Sequence, residues 1–155
     1  MKRSSLLRIL LILPYFVLSS CNNDQNNEEL KGEDVVHLEA NDPMIEKFKQ
    51  QAQDEMDYLI DFMAESGQDT LYDYMIKAPF AQGEDVEHMW VETRLYEDGS
   101  FYGTLINEPY VVTNIQFGDS VKIKREDVED WILNDYLMMA RVGGFSSEYL
   151  EEQNK

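Results

Sequence analysis

EHMWVETRLYEDGSFYGTLI, residues 87–106, alternates rather than winds: Met89, Val91, Thr93 and Leu95 fall on one side, and His88, Trp90, Glu92, Arg94 and Tyr96 on the other. That period of two is the mark of an extended strand. Asp98-Gly99 supplies the positive φ angles of a tight hairpin, so residues 101–106 return antiparallel. Working outward, residues 71–78 read as a preceding strand closed by Pro79, and 81–85 as a polar, glycine-containing loop. Asn107-Glu108-Pro109 makes a turn, 110–115 another strand, Gly118-Asp119 another turn, and 121–124 a short strand of alternating apolar and basic residues.

Ahead of this meander the period lengthens to about 3.6. Ile45, Phe48, Ala52, Met56, Leu59, Ile60 and Met63 fall within an arc of about 120° on a helical wheel. Asn41 or Asp42 can cap this helix, Pro43 suits its first position, and Gly67 ends it. Only Lys49 intrudes on the apolar arc, and its stem can snorkel out. A stripe this regular is a core face, so its methionines suggest no cofactor. The fold class expected is α+β: one N-terminal amphipathic helix on a small curved antiparallel sheet of about five strands, with a short C-terminal helix.

The first forty residues give an address. Residues 1–20 open with Lys2, Arg3 and Arg8, continue through an apolar run over 9–18 and end in small residues. This is a secretory signal pattern, too short and wrongly flanked for a spanning helix. Leu18-Ser19-Ser20-Cys21 resembles the bacterial lipobox, in which the cysteine is acylated and becomes the new N-terminus. Cys21 is the single cysteine of the chain, so the mature protein folds without an internal disulfide. Acyl chains contribute about 0.8 kcal/mol per buried methylene, enough for two or more to hold a protein on a membrane. Asn22, rather than Asp, at the second mature position favours the outer membrane over retention at the inner one. Residues 21–40 are Asn-rich and acidic, which reads as a flexible tether spanning on the order of 25 Å, with His37 solvated in it. Residues 41–155 form a single domain.

Charge narrows the function classes. The chain has 13 Lys plus Arg against 31 Asp plus Glu, and the signal holds three of the basic residues. The mature chain is therefore about 21 negative, which excludes a nucleic-acid binder. The same field repels anionic head groups, so the membrane is expected as a partner through the N-terminal lipid alone.

The half-polar side of the 87–96 strand is where a site is expected. A tryptophan there needs a cover or a partner. REDVEDWILND, residues 125–135, and YLMMARVGGFSSEYLEE, residues 136–152, are the candidate covers. Folded back, they bring His88, Trp90, Asp130 and Trp131 into a second small core; left open, the strand shows an aromatic binding patch. A hydrolase would use His88 as general base oriented by Glu87 or Asp130, with Asn107 as donor to a developing oxyanion. No Ser or Thr sits in a nucleophile motif, and His88 has no second histidine or cysteine near it for a metal. No cofactor is implied. The plainer reading packs Trp90 and Trp131, hydrogen-bonds His88, and gives Asn107 and Pro109 to a turn. The binding reading uses Glu87, His88, Trp90, Glu92, Asn107, Asp130 and Trp131 to receive an envelope protein or a small ligand. A purely structural envelope component is a further alternative.

Glu87-His88-Met89-Trp90-Val91, Gly103-x-Leu105-x-Asn107-x-Pro109, Gly118-Asp119-x-Val121, Asp130-Trp131 and Gly143-Gly144 occur in this order. Together they resemble the YegJ-like family of bacterial proteins of unknown function, over residues 70–145 or so. The resemblance implies small lipoproteins, in agreement with Cys21, and implies no activity. The chain departs after Gly144, where many members continue with Thr and Arg and this one has Phe145-Ser146-Ser147-Glu148, so the resemblance carries no basic contact over to these positions.

Overall fold

The computed structural model describes residues 42–153. The signal, Cys21, His37, the tether and the cap option Asn41 lie outside them. Asp42 is the helix cap: its side chain accepts the Met44 N–H at 2.8 Å, and Pro43 takes the first helical position. The expected single helix is two, α1 (Pro43–Asp54) and α2 (Met56–Ser66), broken at Glu55. A 3-10 turn, Arg125–Asp127, docks at the break. Gln53 donates to the carbonyls of Arg125 and Val128, and Arg125 pairs with Asp57 at 2.6 Å. Polar groups on both sides of Glu55 thus hold one segment.

Six strands follow: β1 (Tyr72–Gln82), β2 (Asp85–Glu97), β3 (Ser100–Leu105), β4 (Ser120–Lys124), β5 (Asp130–Asp135) and β6 (Ala140–Gly143), before a short C-terminal α3 (Ser147–Gln153). They form one antiparallel sheet in the order β4-β3-β2-β1-β5-β6. Ala52, Met56, Leu59 and Met63 of the helices meet Tyr74, Ile76, Ala78, Met89, Val91, Phe101, Leu105 and Trp131 of the sheet in the core.

Four expectations are corrected. Residues 125–135 do not cover the sheet but enter it, as β5 beside β1, and β6 extends it. Residues 110–115 form no strand; the amides a ladder would use go to side chains of β1 and β2, as described below. β1 runs through Pro79. Its pairing with β5 ends at Lys77–Asp130, so at Pro79 the strand has a neighbour on one side only, where a residue without an N–H is tolerated. Finally, a bulge between Thr93 and Leu95 reverses the alternation of β2. Leu95 is 51% exposed, and Tyr96 packs on Phe101 in its place, ring centroids 4.7 Å apart.

Candidate functional site

The residues singled out in the sequence separate into fasteners and a face. Glu87 is a fastener: its carboxylate accepts the N–H groups of Tyr110, Val111 and Val112 at 2.9–3.3 Å. Gln82 does the same for Thr113 and Asn114 through Oε1. The loop between β3 and β4 is thereby held against the sheet, with Val112 buried in the core. Asn107 closes its start, Oδ1 accepting the Trp90 N–H at 2.5 Å.

Asp130 fastens the C-terminal segment. Its carboxylate, 1% exposed, takes the N–H groups of Trp131, Phe145 and Ser146 and the Ser146 hydroxyl. Trp131 is wholly buried on the helix side: its Nε1 donates to the Ala52 carbonyl at 3.0 Å, Tyr58 stacks on it and Phe145 meets it edge-on. His88, Trp90, Asp130 and Trp131 therefore do not form a second core. Nor do His88, Glu87, Asp130 and Asn107 converge as a hydrolytic constellation, since each carboxylate is occupied by separate backbone.

His88 has another partner. Its Nδ1 donates to Glu129 Oε2 at 2.5 Å, and Lys49 Nζ meets Glu129 Oε1 at 2.7 Å. With β1 between β2 and β5, the His88 contact spans the strand at Pro79, its register partner. Burial by itself raises the Glu129 carboxyl pKa, but the hydrogen bonds and charges of His88 and Lys49 outweigh it, and the net shift is down. For Lys49, burial lowers the ammonium pKa, and the Glu129 bond reverses this to a net rise. Sequence reasoning misses Glu129; the signal for it is Lys49, a cation on an apolar arc that Glu46 of its own helix meets only at 3.5 Å, against 2.7 Å for Glu129. A shallow cleft of about 300 Å³ between α1 and residues 126–129 has Lys49 and Glu129 in its wall, but neither His88 nor Asp130.

The face opposite the helices carries Trp90, half-buried, and the Lys77 ammonium stands 5.6 Å from its ring centroid. Met75 is opposite Glu92 beside it. At the far end of this face Arg94 bridges Asp73 at 2.8 Å and Glu92 at 3.5 Å, and the Tyr136 hydroxyl donates to Asp73. Both helices that fill the core, and Val112 of the β3–β4 loop, lie on the other side. Among the described residues no group of three or more His, Cys, Asp or Glu side chains could hold a metal, and no helix is long and apolar enough to cross a membrane.

The bacterial family described as "Uncharacterized protein conserved in bacteria (DUF2314)" matches residues 41–154. The chain belongs to this family. Over 81 residues this DUF2314 chain is 37% identical to the uncharacterized protein YegJ of Escherichia coli (strain K12), a match covering 52% of the chain and 51% of that protein. The YegJ-like resemblance carried by the EHMW, Asn-x-Pro and Asp-Trp motifs is thus a family relationship. Over 63 residues the chain is 44% identical to a Neisseria meningitidis serogroup B protein described as a putative ankyrin repeat protein, covering 37% of the chain and 24% of that protein. The DUF2314 chain therefore spans about half the length of the first relative and a quarter of the second. No solved structure matches it.

Proposed function

We propose that this DUF2314 protein is a lipid-anchored component of the bacterial cell envelope, held through Cys21 on the outer membrane, whose α+β domain curves over its helices and acts by binding rather than catalysis. The binding surface is the sheet face around Trp90. One observation carries this: of the residues singled out in the sequence, Glu87, Asn107, Asp130 and Trp131 are spent on holding the fold together, whereas Trp90 presents its ring beside Lys77 on the face without helices. A half-buried indole under a lysine suits a protein segment bearing an apolar side chain. Catalysis lacks support because His88 is bonded to Glu129 and does not line the cleft that Lys49 and Glu129 share.

The anchor is tested by Cys21→Ala in the full-length chain: incorporation of labelled palmitate is expected to vanish and the protein to leave the membrane fraction. The face is tested by urea unfolding of Trp90→Ser. A cost below about 1 kcal/mol is expected of a surface residue; a loss above about 3 kcal/mol, the size seen for buried aromatics, would make Trp90 a core wall and remove the binding reading.

A further inference from the structure

The β5–β6 connection is apolar where a hairpin turn is ordinarily polar. It consists of Tyr136, Leu137, Met138 and Met139, all exposed, the last by 90%. Leu71, also exposed, adjoins it, its carbonyl accepting the Tyr136 N–H at 3.0 Å. The turn itself is made by other means: Asp135 Oδ1 accepts the Met138 N–H at 2.9 Å. Met139 sits at φ 51°, a left-handed position that Gly or Asn would take with less strain. Folding accounts for neither the apolar side chains nor the methionine at that φ.

We infer that the tip of this hairpin dips into the interfacial layer of a lipid bilayer, giving the domain a second, orienting contact beside the acyl chains. The inference rests on the lipid-anchored reading above for bringing a bilayer within reach. Shape argues for lipid: four side chains on a projecting turn cannot supply the roughly 800 Å² per partner that stable protein interfaces bury, whereas a few apolar side chains suffice to enter a bilayer by about 5–10 Å. Charge argues the same way. In a mature chain with about 21 net negative charges, residues 136–144 contain one charged residue, Arg141, and it is basic. This is where the domain can approach head groups with least repulsion. Tyr136, its hydroxyl bonded to Asp73, places an amphipathic ring at the base of the tip, the level at which interfacial aromatics sit.

The test uses the full acylated chain in phosphatidylcholine vesicles, with Met138→Cys bearing an environment-sensitive fluorophore. Acylation blocks the sulfur of Cys21, the sole native cysteine, so the label marks one site. Quenching by lipids with a nitroxide near the head group is expected to be at least twofold greater at 138 than at a control, Glu126→Cys, and to disappear when Met139→Asp is added. Equal quenching at the two sites overturns the inference, as does a tip shielded equally without vesicles and cross-linked to a second copy. If mass measurement finds Cys21 without acyl chains, the anchoring reading fails by itself. Flotation of the unlabelled chain then decides: binding to vesicles that Met139→Asp abolishes keeps the inference, and no flotation ends it.

Discussion

Glu129 joins three parts of the molecule: its carboxylate holds β2 by His88 and α1 by Lys49, and its N–H donates to the Lys77 carbonyl of β1. Both partners keep some contact with water, so removing the charge costs about 1 kcal/mol, less than the 3–5 kcal/mol of a fully buried pair that loses one member. Glu129→Gln is expected to lower the urea midpoint accordingly at pH 7. The folded-state pKa of Glu129 lies below its ordinary 4.5, so its contribution is present above pH 4.5 and is lost as pH falls through the folded value. That of Lys49 lies above its ordinary 10.5, so its contribution is complete below pH 10.5 and is lost only as pH rises through the folded value. The stability gap between wild type and Glu129→Gln should therefore close as pH falls below about 4.5; a gap unchanged at pH 3 would remove the ion pair as its cause. Gly143 makes a different residue-scale prediction. At φ 80°, a Cβ here would stand 2.1 Å from the Trp131 carbonyl oxygen and 2.7 Å from its ring. Gly143→Ala should cost about 2–4 kcal/mol, combining left-handed strain with displacement of the central core tryptophan, measured by the same unfolding. The family motif thus pairs Gly143 with Trp131 for a steric reason, which the sequence alone could state only as two separate matches.

At the scale of elements, the segment between β3 and β4 shows how side chains replace a ladder. Five consecutive amides, 110–114, are accepted by Glu87 and Gln82, so this loop is ordered without being a strand. Glu87→Ala should raise the hydrogen-exchange rates of the Tyr110, Val111 and Val112 amides by tenfold or more while leaving the β1–β2 amides unchanged, because the loop can open without the sheet. Uniform acceleration across β1 and β2 would instead make the loop part of the global folding unit. The β2–β3 hairpin is legible because a period of two and an Asp-Gly turn agree, and α1 because cap, proline and stripe agree. Tyr110-Val111-Val112 resembles a strand because β-branched and aromatic residues favour strands, although of the three only Val112 is buried. β5 escapes a sequence reading because Trp131-Ile132-Leu133 is a continuous apolar run, buried at every position, and such a run has no period to distinguish it. Among the site candidates, the sequence shows which residues are unusual for a strand but not that most are fasteners, since the amides they bind lie 15–25 residues away.

For the molecule as a whole, charge repulsion is what the fold leaves least compensated. The ion pairs among the described residues are mostly half-exposed or exposed, each worth about 0–1 kcal/mol, while 18 net negative charges repel one another over the chain. Salt weakens both, but the repulsion involves many more pairs, most of them farther apart than the 8–10 Å over which physiological salt screens. Sodium chloride should therefore raise the urea midpoint at pH 7 between 10 mM and 300 mM, and the rise should shrink to nothing near the chain's pI of about 4.2, where the net charge vanishes. A midpoint that falls with salt at pH 7 would mean that the local pairs outweigh the repulsion. A rise that persists at the pI would point to salt exclusion from apolar surface instead. The same repulsion bears on the proposed placement at a membrane: an acidic domain is pushed away from anionic head groups everywhere except at its least acidic projection. Raising the phosphatidylglycerol content of vesicles should then reduce tip insertion at 10 mM salt and have little effect at 300 mM, a dependence opposite in sign to that of a basic lipid-binding patch.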